Sequence, residues 1–423
     1  MRDTSAFDKA VRIALFGLAM LVARIAHAET FDVDTTADLP DDGGGVTTCH
    51  TSAGTCSLRA AIMKSNQLGG SNIIHVPEGI YLLTIPPQSP DGDDSGDLNV
   101  TASVAITGRG AGRTIIDANQ IDRALDIASG QFVGLSDVTV RNGLQTFGGG
   151  ISNDGVLTIT HSVIEENFGV FGGGVGVTAS GALTVVGSII RLNAGHILGG
   201  GMYLEGSATV RDSTLYDNGA EYGGGIYAAG FSPFLYVVDS TVSGNFADAD
   251  GGGIFSAGSA FLYNTSVVGN DADHDHDENG GTGGGVYAGG LRFVVVNALI
   301  AGNTFSNTPF ADNCHGALEA YGMNLLDERE GCTTTTSDSN LGFVSLGTIG
   351  PLQDNGGPTP THALLTNSEA IDDTIDSLGC VDETGSQLTT EQRGASRVTG
   401  ARCDVGAFEF GSVVDSIFAD GFD

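Results

Sequence analysis

The sequence predicts an all-β protein whose central part is a right-handed parallel β-helix. Three observations lead to this prediction: a Gly-Gly-Gly triplet recurs six times, an asparagine closes each repeat, and aliphatic residues keep fixed positions before that asparagine. Repeats of this length are typical of solenoids, in which each unit stacks on its neighbours. The triplets begin at Gly148, Gly172, Gly199, Gly223, Gly251 and Gly283, and the asparagines are Asn167, Asn193, Asn218, Asn245, Asn270 and Asn303.

Each repeat has the residue pattern of short strands. Apolar residues lie three and eight positions before the asparagine, and a small hydroxyl residue lies five positions before it in all repeats but the last. Glycine and β-branched residues disfavour helices, so we expect two or three strands per coil, with coils about 4.8 Å apart. The triplet should turn a corner, and the asparagine amides should hydrogen-bond to one another from coil to coil.

The chain divides into five segments. Residues 1–28 are predicted to be a secretory signal peptide, because basic residues precede an apolar run that ends in Ala-His-Ala. A retained membrane anchor is the alternative, although the run is short for a bilayer. The remaining segments are an N-terminal cap at 29–96, the β-helix at 97–312, a C-terminal capping module at 313–410 and a tail at 411–423.

The charge of the chain limits its partners. The formal net charge is −34, and lysine occurs only at Lys9 and Lys64. A nucleic-acid-binding protein needs a basic face to displace counterions from phosphates, and binding to anionic lipid has the same requirement. We therefore expect no nucleic-acid partner. An acidic surface suits a secreted protein, and divalent cations are compatible with it.

The cysteines predict three disulfides in an exported protein. They occur as neighbouring pairs that flank the repeats, so among 15 possible connectivities we expect each cysteine to bond to its neighbour. The predicted bonds are Cys49–Cys56, Cys314–Cys332 and Cys380–Cys403.

One amphipathic helix is predicted in the N-terminal cap. It has the sequence SLRAAIMKSNQ and directly follows Cys56. Its apolar side should lie across the first coil of the solenoid, with Leu58, Ala61 and Ile62 pointing inward. A solenoid needs such caps, because its end coils otherwise expose unpaired strand edges.

Several motifs resemble those of known bacterial proteins. CSLRAAI, from Cys56 to Ile62, resembles the signature of the CSLREA domain, although Ala60 stands where that signature has glutamate. GGGIY with a downstream asparagine resembles the repeats of secreted β-helix proteins and of polymorphic outer-membrane proteins. The stretch from Leu352, LQDNGGPTPTHALLTNSEAID, followed by QRGA and RCDVGAFE, is similar to a C-terminal module of bacterial surface proteins whose anchor varies. The tail IFADGFD looks like a terminal motif of exported proteobacterial proteins. The resemblance implies a secreted or surface β-helix protein and supplies no catalytic residues.

Pectin-lyase-like enzymes share the predicted fold, so catalytic residues have to be considered separately from the fold. Asp212 and Asp239 both lie six positions before a repeat asparagine, which would place their carboxylates on adjacent coils roughly 5 Å apart. That separation suits the carboxylate pair of a retaining glycosidase, a calcium site, or two solvated side chains at a bend. A lyase would also need a strong base, and the middle coils offer only Arg191 and Arg211, with Arg292 further on.

An acidic stretch, NDADHDHDENGG, is a candidate metal site. Its alternating aspartates resemble the first half of a calcium loop, but His276 stands where an EF-hand has glycine, and no glutamate closes the loop. His274 and His276 could instead bind a transition metal, and a solvated acidic loop is the third possibility. The sequence thus establishes no cofactor, and calcium is the candidate that the aspartates suggest. The candidate ligands are Asp271, Asp273, Asp275 and Asp277.

An aromatic stripe is predicted on one face of the solenoid. In four repeats an aromatic residue follows the aliphatic residue after the triplet, and these side chains should point outward. Such a stripe can bind sugar rings, or its members can simply stack on one another. The stripe consists of Tyr203, Tyr227, Phe255 and Tyr287.

Together these features predict an exported, monomeric surface or extracellular β-helix protein with a structural or adhesive role. It would recognise a glycan or a protein, and its mature chain would carry no transmembrane segment. The alternative is a polysaccharide lyase or glycosidase that uses a groove around Asp212 and Asp239. An autotransporter passenger is disfavoured, because no series of membrane strands follows the repeats.

Overall fold

The computed structural model describes residues 28–89, 92–229, 234–275, 280–306, 311–374 and 379–414. It confirms the predicted all-β fold: short strands stack coil upon coil into a parallel β-helix. A full coil contributes one strand to each of four parallel sheets, which we call sheets I to IV. In the coil that begins at Gly223 the chain passes from sheet IV to sheet I, then to sheet II and sheet III.

Sheets I and II meet at one corner of the solenoid. The strands of sheet I are Thr30–Asp32, Ser71–His75, Ser103–Thr107, Phe132–Ser136, Val156–Thr160, Ala182–Val186, Ser207–Arg211, Phe234–Val238, Ser259–Tyr263, Arg292–Val296 and the second half of Cys314–Tyr321. The strands of sheet II are Gly79–Leu82, Thr114–Asp117, Thr139–Arg141, Val163–Glu165, Ile189–Arg191, Thr214–Tyr216, Thr241–Ser243, Ser266–Val268, Leu299–Ala301, Asn324–Leu326 and Leu341–Phe343.

Sheets III and IV complete the coils. The strands of sheet III are Leu144–Phe147, Phe168–Phe171, Ala194–Leu198, Gly219–Ala220, Phe246–Ala247, Asp271–Ala272 and Thr304–Phe305. The strands of sheet IV are Leu98–Val100, Leu125–Ile127, Ile151–Asn153, Val175–Val177, Met202–Leu204, Ile226–Ala228, Ile254–Ser256, Val286–Ala288, the first half of Cys314–Tyr321, and Cys332–Thr334.

The glycine triplet turns the corner between sheets III and IV, as predicted. Its first residue takes a positive φ, for example 68° at Gly223, which glycine adopts without steric cost. The second glycine touches the neighbouring backbone: a Cβ on Gly224 would lie 2.1 Å from the carbonyl oxygen of Phe246. The triplets of successive coils also hydrogen-bond to one another, as in the 3.2 Å bond from Gly224 N to Gly251 O.

The predicted asparagine ladder is present and buried. From Asn167 to Asn303, each side-chain amide donates to the Oδ1 of the next asparagine over 2.8–3.0 Å. A parallel ladder runs along the corner between sheets I and II, where the backbone N–H of Ser188 donates to Ser213 Oγ over 3.1 Å. Both ladders join neighbouring coils of the repeat region, so they fix the register there.

The N-terminal helix is confirmed at Leu58–Leu68. Ser57 caps it by accepting a 3.0 Å hydrogen bond from Ala60 N, and Leu58, Ala61 and Ile62 belong to the solenoid core as expected. Its Arg59 is also buried and bonds to Asp38 over 2.6 Å. The helix therefore closes the first coils with an apolar face and a neutralised arginine.

The coils extend beyond both predicted boundaries of 97 and 312. At the start, Thr30–Asp32 already pairs in parallel with Ser71–His75, inside the segment assigned to the N-terminal cap. At the end, Asn324–Leu326 pairs with Leu341–Phe343. These outer coils lack the glycine triplet, so the repeat pattern alone did not reveal them.

The predicted C-terminal capping module at 313–410 begins too early, because strands up to Leu341–Phe343 still belong to the coils. From here on we call residues 346–414 the C-terminal module, which lies against the side of the solenoid. It runs back along the outer face of sheet II: Pro360 O accepts a 2.7 Å bond from Thr214, and Gly406 N donates to Asn297 O over 3.0 Å. Its Val405 and Phe408 pack in one apolar cluster with Leu299 of the solenoid, among others. The described residues of the module include the antiparallel strands Ile349–Gln353 and Thr361–Leu364 and the 3₁₀ turn Leu346–Thr348. Another 3₁₀ turn, Asp338–Asn340, lies in the last coil.

All three predicted disulfides are confirmed: Cys49–Cys56, Cys314–Cys332 and Cys380–Cys403. Across the ranges given above, no helix has the length and apolar character needed to cross a membrane. The predicted signal peptide lies almost wholly outside the described residues, as does most of the tail after residue 414.

Replacing Asn218 with alanine should destabilise the solenoid. The Asn218 amide both donates to Asn245 and accepts from Asn193, and each buried group left without a partner costs about 1–3 kcal/mol. We expect the free energy of unfolding to fall by roughly 2–4 kcal/mol in urea denaturation. The exposed Thr101→Ala variant is the control. Equal denaturation midpoints for the two variants would contradict a stabilising ladder.

Candidate functional site

The corner between sheets I and II carries both aspartates that were considered as catalytic residues. At this corner the residue six positions before the asparagine takes a positive φ in all six repeats, for example 52° at Asp212 and 43° at Asp239. Aspartate, asparagine and glycine tolerate this left-handed conformation better than other residues. The positive φ thus explains why aspartate, asparagine or glycine recurs at this corner, and no catalytic role is needed to explain it. The equivalent residues are Asp137, His161, Gly187, Asn264 and Asn297.

Asp239 cannot contact a polysaccharide, because the C-terminal module covers it. Its side chain is 0% exposed and lies 3.8 Å from the guanidinium of Arg397, which is equally buried. Neither carboxylate oxygen accepts a hydrogen bond from a described residue. Burial raises the pKa of Asp239 well above its usual range, although the charge of Arg397 opposes this shift. The open groove that the enzyme alternative places around both Asp212 and Asp239 is therefore not formed.

Asp212 lies at an opening in the surface, which we call the corner cleft. This cleft has a volume of about 350 Å³ and is bordered by Asp212 and His161 of the solenoid and by Thr390–Gly394 of the module. Burial raises the pKa of Asp212 to about 7; the charge of Arg211 opposes that shift and the charge of Glu391 adds to it. Burial likewise raises the pKa of Glu391, against the effect of Arg393. Sequence reasoning missed Glu391, because it lies far from Asp212 along the chain.

Polar contacts fix the module to the same corner. Asn264 donates to Val381 O over 2.9 Å, and Asn297 donates to Gly379 O over 2.8 Å. On sheet I, Arg211 pairs with Glu383 at 2.6 Å. Three residues of the solenoid, Asn264, Asn297 and Arg211, thus bind the module segment 379–383. These contacts position this segment beside the outer face of sheet I.

The aromatic stripe forms where it was predicted, but its rings stack on one another. Ring centroids are 5.8 Å apart for Tyr203 and Tyr227, 4.8 Å for Tyr227 and Phe255, and 4.5 Å for Phe255 and Tyr287. His315 continues the stack at 4.8 Å from Tyr287. Stacked neighbours cover the ring faces that a sugar would need, and Tyr203 is only 8% exposed. The stripe is built for packing between coils.

Asp271 and Asp273, at the start of the acidic stretch, make internal contacts, whereas Asp275 is exposed. Asp271 lies in a sheet III strand, where it accepts a 2.6 Å hydrogen bond from Thr304 and contacts His274. Asp273 is buried and bonds to Ser306. Asp277 and His276 lie outside the described residues. Among the residues that are described, no group of three or more His, Cys, Asp or Glu could hold a metal ion.

A second opening, which we call the sheet cleft, lies over the outer face of sheet I. Its volume is about 580 Å³, and residues 381–385 of the module form one wall. The floor is aromatic and aliphatic, and polar side chains stand around it. The floor residues are Phe261, Tyr263, Val294, Val296 and Tyr321, and the polar residues are Arg292, Asn340, Asp382 and Glu383.

The polar groups of the sheet cleft are held in fixed positions. Arg292 Nε bonds to Glu319 over 2.9 Å, and its guanidinium lies 5.6 Å from the Phe261 ring centroid. The hydrogen bond from Arg292 lowers the pKa of Glu319. Burial alone would raise the pKa of Asp382, but hydrogen bonds from Thr384 and Ser386 outweigh it, so this pKa is lowered. Both carboxylates are therefore ionised at neutral pH.

The sheet cleft was not predicted, although part of its signal is in the sequence. Tyr236 and Phe261 occupy one outward column of sheet I, in which the preceding coil has Thr209. Tyr263 occupies a second column, in which the preceding coils have Val238 and Arg211. Such a change in composition marks an unusual patch on the outer face. The facing wall could not be anticipated, because it comes from a module expected at the end of the solenoid.

Taken together, fold and strand order define a parallel β-helix with a C-terminal module along one side. Residues 105–272 match a family described as the right handed beta helix region, which gives the hand of the solenoid. The crystal structure of pectate lyase Pel9A is similar to the chain, with a TM-score of 0.49 and 11% sequence identity over 91% of this chain and 97% of that protein. At this level the similarity bears on neither activity nor substrate. No curated protein matches the chain in sequence.

Stability should fall as the pH rises from 5 to 8. Burial raises the pKa of Asp212 to about 7, and it does the same for Glu409. Between the ordinary carboxyl pKa near 4 and this raised value, the folded chain keeps protons that the unfolded chain has released. Each such group therefore lowers the unfolding free energy by up to about 1.4 kcal/mol per pH unit in that window.

Thermal unfolding at pH 5 and pH 8 measures this effect. Asp212→Asn should reduce the difference between the two melting temperatures, whereas Glu78→Gln, at an exposed position, should leave it unchanged. A melting temperature that rises with pH would show that the buried carboxyls at this corner do not have raised pKa values.

Proposed function

We propose that the protein is exported and acts outside the cell as a recognition module, which binds a glycan or a protein in the sheet cleft. The three disulfides support an oxidising compartment. The strongly negative net charge suits a soluble extracellular protein. The CSLREA-like motif and the surface-protein motifs of the C-terminal module are part of the same proposal.

The sheet cleft is the observation that carries this proposal. Ligand sites are concave, with apolar walls and a few fixed polar groups, and they have volumes of roughly 300–1,000 Å³. The sheet cleft matches on each point, since Tyr321 and Tyr263 contribute to its floor and Arg292 and Asp382 stand at its edge. Tyr321 is 42% exposed, so its ring is accessible to a ligand. We place adhesion or recognition here and not at the stacked aromatic stripe.

An enzyme that acts on polysaccharides is the second candidate, and the corner cleft favours it. Asp212 and Glu391 both border this cleft, and both have raised pKa values. Carboxyl groups that keep protons near neutral pH can serve as general acids. Asp239, the other aspartate considered from the sequence, has no place in this mechanism, since it is buried.

Incubation of the purified protein with a panel of polysaccharides separates the two functions. We expect the polysaccharide chain length, followed by size-exclusion chromatography, to stay unchanged, and one or more polysaccharides to elute with the protein. Tyr321→Ala should weaken this co-elution, because it removes an exposed ring from the sheet cleft. Asp212→Asn should leave co-elution unaltered and serves as the matched control at the other cleft.

Shortened chains with the wild type and intact chains with Asp212→Asn would instead establish an enzyme that uses the corner cleft. Equal co-elution for Tyr321→Ala and the wild type would place recognition elsewhere on the surface.

A further inference from the structure

We propose that the sheet cleft is selective for uncharged saccharides, which lie along the solenoid axis across successive coils. This inference rests on the proposed recognition function and adds the class of ligand. It depends on two features of the cleft: the pairing of its charged side chains, and the spacing of its aromatic residues.

Each positive side chain described at the sheet cleft is paired with a carboxylate, although Arg292 itself is about half exposed. Arg292 is paired with Glu319, and Arg211 is paired with Glu383 at the same wall. Asp382 adds a further negative charge, held by hydrogen bonds from Thr384 and Ser386. The local balance is therefore negative, like that of the whole chain. An acidic polysaccharide would be repelled, whereas hydroxyl groups can donate to these carboxylates.

The floor of the cleft offers an aromatic platform for a pyranose ring. Tyr263, Val296 and Tyr321 occupy one column of sheet I, one residue per coil. Since adjacent coils are about 4.8 Å apart, the two tyrosines are separated by roughly 10 Å along the axis, with the smaller valine between them. The apolar face of a sugar can rest on the exposed ring of Tyr321, whereas Val296 beside it is only 4% exposed.

The polar groups lie where a saccharide on this floor could reach them. Arg292 and Glu319 are on the same two coils as Val296 and Tyr321, and Asn340 and Asp382 line the cleft as well. Burial raises the pKa of Tyr263, so its phenol stays protonated and can donate a hydrogen bond. These side chains offer both hydrogen-bond donors and acceptors, and their charges are already balanced within the protein. Such a set suits a neutral ligand with many hydroxyl groups.

The test compares matched neutral and uronate oligosaccharides on one glycan array, with chelator present so that no cation bridges acidic groups. Hits are then titrated by calorimetry against three variants. Tyr321→Ala should weaken binding about tenfold, which corresponds to about 1.4 kcal/mol, since it removes the exposed aromatic platform. Tyr321→Phe should retain binding, because the ring remains. Phe132→Ala is the control, because Phe132 is 66% exposed on the same sheet but lies outside the cleft.

Neutral oligosaccharides that bind the wild type and lose affinity only with Tyr321→Ala would support the proposal. Binding of uronates alone, still sensitive to Tyr321→Ala, would overturn the neutral class but leave recognition in the sheet cleft intact. Binding of proteins without binding of any saccharide would also overturn the proposal that the ligand is a neutral saccharide. Saccharide binding that is equal in Tyr321→Ala and the wild type would overturn both this inference and the proposed site.

Discussion

The register between coils is the constraint on which the rest of this structure depends. Buried asparagine amides bond from coil to coil over 2.8–3.0 Å, and the glycine triplets bring the backbones too close for any larger residue. Since neither contact tolerates a shift, equivalent residues of successive coils form straight columns. Each outward column is thus a straight row of side chains, with one residue from each coil. The identity of these residues determines the chemical character of that part of the surface.

Two columns show how this register produces different surfaces. The stripe from Tyr203 to Tyr287 places aromatic rings on consecutive coils, so the rings stack and cover one another. In the sheet I column, Val296 separates Tyr263 from Tyr321, and the ring of Tyr321 remains exposed. A column with an aromatic ring on every coil is therefore packed against itself, whereas a valine between two tyrosines goes with an exposed Tyr321.

The sequence predicts the solenoid well, because its repeats report contacts between neighbouring coils. The asparagine ladder, the turning glycines, the helix at Leu58–Leu68 and the disulfides all follow from local patterns. The candidate sites are different, since they combine coils with a module that follows them in the chain. Glu391 beside Asp212 and Asp382 beside Arg292 are such pairs, and a repeat pattern holds no information about them. Burial of Asp239 against Arg397 was missed for the same reason.

The most direct test of this account is a crystal structure of the protein with a bound neutral oligosaccharide. The account predicts sugar rings over Tyr321 and Val296, between sheet I and the 381–385 wall, with hydroxyls bonded to Asp382 or Glu319. A saccharide seated in the corner cleft beside Asp212 and Glu391 would contradict it and point to catalysis instead.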